Sequence, residues 1–522
     1  MTLTLLGFFG FTLFVIFYVW YQLKNENLKS EKGYFLAGKS LTGPVIAASM
    51  LLTNISTEHL IGMNGNAYKN GIIVIAWEVT SAIALVIAAL YFLPRYIRMG
   101  LTTIPEYLEN RFDSLTRTLV ALFLMVSFVV TLLPIVLYSG ALNIESIFEI
   151  SENFGFSQSE GLIYTVIVIG LIGSAYAIFG GLKAVAYSDT LNGIGLLIGG
   201  LLIPVLALYN IGDGHMLSGL KKVYEFAPEK FDIIGKPDSV LPFGVLFTGL
   251  MINQLYFWGM NQTIIQRALG AKNLAEAQKG LLYTGILKIL IPLVIVLPGL
   301  IAYYYYQDQY YNNPDLIYPV LVKKVLPASL TGFFAAVILG AVLSTFNSVL
   351  NSASTIFCFD LYKKHINPTI DEKRLVKTGK WIAVILAMFS IIAAPLVAKA
   401  PEGLYQMLQQ LNGIFFIPIA SILMAGFFTK IVNANGAKAG LFFGFLFYIL
   451  TSFIFDTGIH FVHIWGIEFV LNFAIMILVS KAFPTDKVVV ELTKDSSEPW
   501  KYSRFLGLAL VLITVLIYYL LS

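Results

Sequence analysis

Charge is what this sequence has least of. Only 12% of its 522 residues are Asp, Glu, Lys or Arg, while 57% are hydrophobic, and mean hydropathy is +0.79. Soluble domains carry about a quarter charged residues, so an ordinary soluble protein is excluded. The single cysteine, Cys358, excludes an intrachain disulfide. There is no GxxxxGK[ST] loop, and no stretch between apolar runs is large enough for a nucleotide-binding domain. Both facts argue against ATP-driven work in this chain. No HExxH or GxSxG motif lies in an apolar run, which argues against an intramembrane hydrolase and against an enzyme of that kind. A net charge of +4 is too small to point to nucleic acid.

Apolar runs of about 20 residues fill the chain instead, each long enough to cross about 30 Å of hydrocarbon. The short alternating segments of a membrane barrel are missing. The reading is an all-α, polytopic membrane protein with about fourteen spans, at approximately 3–22, 43–66, 72–94, 116–145, 160–179, 184–208, 243–266, 278–303, 330–360, 376–398, 402–427, 436–455, 459–480 and 503–521. No basic residue precedes the first run, whereas Lys24, Lys29 and Lys32 follow it. This order is the reverse of a cleavable signal peptide and predicts a retained helix with its N-terminus outside. Alternate connections are basic, as with Arg95/Arg98/Arg111/Arg117, Lys363/Lys364/Lys373/Arg374 and Lys481/Lys487/Lys494/Lys501. The connection holding Glu145, Glu149, Glu152 and Glu160 is acidic. This alternation predicts both termini outside a plasma membrane, the bacterial inner membrane being the natural candidate.

Two charges interrupt this apolar background. Glu78 lies inside Ile72–Phe92 and Lys288 inside Leu281–Tyr303. A charge at the bilayer centre costs about 2.5–3.5 kcal/mol on insertion scales, so such residues face a cavity or a partner. Read alone, the pair fits either a polar binding site or a structural ion pair between helices.

Two spans also carry runs of short polar residues. Thr53-Asn54-Ile55-Ser56-Thr57-Glu58-His59 lies in the second, and Ser344-Thr345-Phe346-Asn347-Ser348 in the ninth. Ser, Thr and Asn compete for backbone hydrogen bonds. Unwound backbone at membrane depth is tolerated only where it lines protein or a cavity, and freed carbonyls there can bind a cation. Both runs fit tight helix packing as well. Asn54-Ile-Ser56 and Asn261-Gln-Thr263 match the glycosylation pattern but lie in or beside spans, so they are rejected as modification sites.

Tyr34-Phe-Leu-Ala-Gly-Lys-Ser40, Asn54-Ile-Ser-Thr-Glu-His59, Gln262-Thr-Ile-Ile-Gln-Arg267 and Asn351-Ser-Ala-Ser-Thr-Ile-Phe357 resemble the sodium/solute symporter family. The nearest branch is that of the bacterial sodium/galactose and animal sodium/glucose symporters. The resemblance implies a five-plus-five inverted repeat with broken helices, working by alternating access. The repeats would be 43–208 and 243–427, with 1–42 and 428–522 peripheral and 209–242 an outer loop. It implies a sugar site at His59, Met63, Trp77, Glu78, Ser81, Gln254, Phe257, Lys288, Tyr405 and Gln409. Leu132 falls where the galactose symporter has a sugar-binding Asn, Gln254 replaces an Asn, and Phe257 replaces a Tyr.

The resemblance also implies a sodium site made by the carbonyls of Leu52, Ile55 and Ala341 and the hydroxyls of Ser344 and Thr345. A second sodium would use Asp189, Asn347 and Ser348, with Asn347 departing from the usual hydroxyl residue. The implied partners are sodium, a small-molecule sugar and the bilayer, with no obligatory protein partner.

The residue types suit such a task. Glu78 only accepts hydrogen bonds, Lys288 only donates, and His59, Gln254 and Gln409 do both. A 100 mV potential contributes about 2.3 kcal/mol per charge, enough to drive accumulation of a neutral sugar. The alternatives kept open are myo-inositol, another polyol or a sialic acid as cargo, and a sugar sensor or channel. An anionic cargo would want an Arg at mid-span, and none is apparent.

Overall fold

The structure is a computed structural model that describes residues 2–399, 404–485 and 498–522. Among these, helix is the only repeating secondary structure, with one isolated bridge between Leu41 and Ala271. Lys487 and Lys494, which entered the charge pattern, lie outside the described residues.

Seventeen of the helices frame the fold. They are α1 (Thr2–Leu23), α2 (Gly43–Asn54), α3 (Thr57–Asn70), α4 (Ile72–Arg98), α5 (Ser114–Phe148), α6 (Gln158–Ala175), α7 (Gly180–Ile211), α8 (Gly249–Gly259), α9 (Gln262–Leu269), α10 (Leu274–Leu290), α11 (Pro292–Tyr306), α12 (Ala328–Ile366), α13 (Glu372–Val397), α14 (Tyr405–Phe428), α15 (Ala434–Ile454), α16 (Phe461–Ala482) and α17 (Ser503–Leu520). Each of the fourteen expected spans falls on helix, but the count by length is lower. Eleven helices are long and apolar enough to cross a membrane, and a twelfth span forms if α10 and α11, bent by 41°, are taken together.

The shortfall has a physical cause. The expected spans 43–66 and 243–266 are each broken, into α2/α3 and α8/α9. Asn54-Ile55-Ser56 breaks the first, as the short polar residues predict. Met260-Asn261 breaks the second, where the Asn261 side chain caps α9 by accepting from the Thr263 N–H.

Burial separates core from periphery. The best membrane window of α12 is 89% buried and that of α4 83%, against 11% for α1. Glycine permits the closest approaches in the core. A Cβ on Gly340 of α12 would lie 2.3 Å from the Asn192 side chain of α7, so that side chain rests on the bare backbone of α12. A Cβ on Gly62 of α3 would lie 2.5 Å from the Tyr405 Cβ of α14. The Gly62 contact draws α3 against α14, while α2 packs on α10 and α12, and α4 packs on α8 and α10.

Candidate functional site

The first break sets the local chemistry. Ile55 (φ −92°, ψ 82°) and Ser56 (φ −93°, ψ −171°) leave the helical region, so the last carbonyls of α2 lose their intrahelical partners. Thr345 of α12 faces them. Its hydroxyl donates to Thr53 O at 3.0 Å and to Leu52 O at 3.4 Å. Thr53 and Ser348 hydroxyls meet at 3.0 Å, a second tie between α2 and α12. Leu52, Ile55, Ala341, Ser344 and Thr345 are all buried. Ala341 and Thr345 lie one turn apart on α12, so their oxygens can face the same break. Of the five residues expected around sodium, Thr345 meets the Leu52 carbonyl directly across the junction of α2 and α12, while the Ser344 side chain lies against Asp189.

The residues expected around a second sodium have other partners. Arg267, fully buried, donates Nε–H to Ser49 Oγ at 2.9 Å and a second N–H to Ser348 Oγ, and its Nη2 lies 4.0 Å from Asp189 Oδ2. Ser49 also donates to that Asp189 oxygen at 2.5 Å. A protein guanidinium thus already holds Asp189 and Ser348 together. Asn347 is buried, and its Oδ1 accepts no hydrogen bond from a described residue. Arg267 ends the Gln262–Arg267 motif read from the sequence, but its burial against Asp189 was not legible there, because it closes a short helix at the end of an expected span.

On the far side of the break lies a cavity of about 60 Å³, room for a few water molecules. His59, Trp77, Glu78, Ser81, Gln254, Phe257, Lys288, Tyr405 and Gln409 all line it. They come from α3, α4, α8, α10 and α14. Met63 does not line it; one turn beyond His59, it is fully buried in the core beside Leu60 and Ala67.

At the centre, Glu78 is fully buried and both its oxygens are engaged. His59 Nε2 lies 2.7 Å from Oε1, and Lys288 donates to Oε2. Lys288 also donates to Asn54 Oδ1 at 2.8 Å, so the last residue of α2 is tied to the same charge cluster. Its ammonium lies 5.4 Å from the Trp258 ring centroid, within cation–π range. Gln254 Nε2 donates to Trp77 O at 2.8 Å, while Oε1 accepts from Ser81 at 2.9 Å and from Trp258 at 3.1 Å. Gln409 donates to Tyr405 Oη at 2.9 Å. Tyr405 stands edge-on to His59 (4.8 Å) and Trp77 (6.0 Å).

Sequence reasoning missed several lining residues. Glu58, Asn54, Asn253, Trp258 and Asn412 all face the cavity. Glu58 stood in the quoted Asn54–His59 motif, and its carboxylate accepts from Ser139 at 3.2 Å. Its acidic type inside an apolar span was the available signal. Leu132, noted as a departure, lines the cavity as an apolar wall.

A model of the sodium:solute symporter family matches residues 34–444. The chain belongs to the sodium:solute symporter family. It is 42% identical over 519 residues to the uncharacterised symporter YidK of Escherichia coli K12, covering 99% of this chain and 90% of that one. It is 34% identical over 453 residues to a sodium/glucose cotransporter of Vibrio parahaemolyticus, covering 83% and 81%. Human sodium/myo-inositol cotransporter 2 is 32% identical over 464 residues, covering 82% and 66%. A sodium-coupled sialic acid symporter in a substrate-bound, outward-open state superimposes with TM-score 0.79 at 20% identity, over 93% of this chain and 98% of that one. Family membership makes the chain a multi-pass, sodium-coupled solute symporter and a transporter, not an enzyme. The likeness at 20% identity speaks for the fold alone.

Proposed function

We propose that the symporter imports a neutral, hexose-like sugar together with sodium by alternating access. The observation that carries this reading is the single cavity in which Glu78, Lys288, His59 and Gln409 converge beside the broken helix. A hexose presents hydroxyls that each donate and accept. An acceptor-only carboxylate, a donor-only ammonium and two amphoteric groups match that pattern. A site of this kind rejects analogues lacking a hydroxyl, because its own buried groups are then left unpaired. Trp77, Tyr405 and Phe257 offer apolar faces to the C–H surfaces of a ring. Sodium would be held by the carbonyls of Leu52, Ile55 and Ala341 and the hydroxyls of Ser344 and Thr345. Those ligands come from two helices, and one of them ends at Asn54, which Lys288 touches. Fixing the α2–α12 spacing therefore shapes the sugar cavity, and differential affinity of this sort is what coupling requires.

The halves of the transport unit are taken as 43–208 and 243–427, each opening on a broken helix, with both termini outside the plasma membrane. A cyclic polyol is the second reading, favoured by the relatives named for myo-inositol and by the hydroxyl-matching groups that line the cavity. An anionic cargo fits less well, since Arg267 is engaged by Asp189 and does not line the cavity. Uptake of labelled glucose, galactose and myo-inositol into proteoliposomes, with and without an imposed sodium gradient, tests the proposal. Sodium-dependent accumulation of one of the hexoses supports it. Accumulation that ignores sodium, or sugar-evoked current without uptake, overturns it.

A further inference from the structure

Glu468 lies near the middle of α16, outside the helices that line the cavity, and it is fully buried. The Asn472 side chain is the polar group set against its carboxylate, neither oxygen receives a well-formed hydrogen bond, and no Lys, Arg or His lies within ion-pair distance among the described residues. One turn on, Asn472 points its amide N–H at Ser421 Oγ of α14 (3.3 Å), which leaves its Oδ1 without a donor. The two orphaned groups are neighbours. A Cβ on Gly444 of α15 would lie 2.5 Å from Asn472 Nδ2, 2.8 Å from Glu468 Oε1 and 2.9 Å from Asn472 Oδ1, so α15 seals both side chains against its bare backbone.

Groups from the other packed elements supply no countercharge. From α15 the titratable side chain facing Glu468 is Tyr448. α14 presents Ser421 to Asn472 and Gly413 to Trp465 and Tyr448, and α8 presents Gly249 to Trp465. On α16 itself, His463 is turned to Thr248 instead.

A bare carboxylate in such surroundings is not sustained; it takes up a proton. Protonation here repairs two defects at once. The carboxylic O–H becomes the donor that Asn472 Oδ1 lacks, and the charge disappears. We propose that Glu468 is a proton-binding site of this symporter, its acid hydrogen-bonded to Asn472 and sealed between α14, α15 and α16. The proton is taken from bulk water and returned to it.

The site is linked to the cavity wall. Trp465, one turn before Glu468, contacts the ring of Trp77 at 6.2 Å, and Trp77 precedes Glu78. Ionising Glu468 requires water to enter between the three helices, which loosens Trp465 from Trp77. Alkaline pH therefore acts on the cavity through α16.

The test uses the full chain in lipid and readouts that do not depend on the cargo. Infrared difference spectra between wild type and Glu468→Gln at neutral pH are expected to show a protonated-carboxyl C=O band that the variant lacks. The wild-type melting temperature is expected to fall toward alkaline pH, and Glu468→Gln to lose that slope. Asn472→Leu, which removes only the acceptor, is expected to shift the same band, so the proposal stays testable should Glu468→Gln fold poorly. A carboxylate band for Glu468 at neutral pH, an unchanged band in Asn472→Leu, or equal pH slopes in wild type and Glu468→Gln would overturn it.

Discussion

Glu78 of α4 and Lys288 of α10 pair directly at the centre of the cavity, although 210 residues separate them. Both are essentially inaccessible to solvent. Removing one partner leaves the other charge buried and uncompensated, at a cost of about 3–5 kcal/mol. Lys288→Ala is therefore expected to lower the melting temperature sharply in detergent. The double replacement Glu78→Leu/Lys288→Met is expected to recover most of that loss while abolishing uptake. A stable single variant would contradict the pairing.

Sugar and sodium contacts should separate by mutation. Gln409→Ala is expected to weaken apparent sugar affinity by about 1–3 kcal/mol and leave the sodium requirement unchanged. Ser344→Ala is expected to raise the sodium concentration for half-maximal uptake. Matching defects in both titrations would show that the two sites are not distinct.

The guanidinium of Arg267 already sits against Asp189 and Ser348. Sodium activation of uptake is accordingly expected to follow a simple hyperbola, as one ion per cycle requires. Arg267→Lys keeps the charge but loses the planar fork. It is expected to destabilise the fold by about 1–3 kcal/mol, because donors to Ser49 and Ser348 are lost. A sigmoidal sodium curve in the wild type would point to a second ion.

Gly62 lets α3 lie against Tyr405, and any side chain there must displace it. Gly62→Ala is expected to cost about 1–3 kcal/mol of overpacking. Tyr405 and Gln409 would shift with α14, so sugar affinity is expected to fall more than sodium affinity. Equal sugar titrations for variant and wild type would refute this.

Outside the spans, Glu109 joins Arg117 and Lys364. Burial alone would raise its carboxyl, but the hydrogen bonds from Lys364 and Arg117 outweigh it and hold the pKa below the ordinary value. Its stabilising contribution is present above the unfolded carboxylate range, near about pH 4.3, and is lost as pH falls through the lowered folded value. The melting temperature of wild type is expected to drop over that acid range more steeply than that of Glu109→Gln.

Much of this could be read from residue types alone, where one residue dominates its surroundings. Glu78 and Lys288 stood out because hydrocarbon tolerates neither without a partner. The Asn54-Ile55-Ser56 break was legible because three short residues there compete for backbone bonds. Long-range pairing was not. Nothing local says that Arg267 would reach Asp189, or that Met63 turns into the core while His59, one turn earlier, faces the cavity. The apolar appearance of α16 also concealed Trp465 against Trp77. A count by helix length gives eleven or twelve spans, because each half of a broken helix is too short to pass that test.

Thr345 offers its hydrogen to the carbonyls of Leu52 and Thr53, yet as an ion ligand it would have to offer its oxygen. The two roles differ only by rotation about one C–O bond. Such a rotation takes picoseconds to nanoseconds, whereas collective helix movements take microseconds to milliseconds. If sodium binds there as proposed, the turn of this hydroxyl is far too quick to set the pace of turnover.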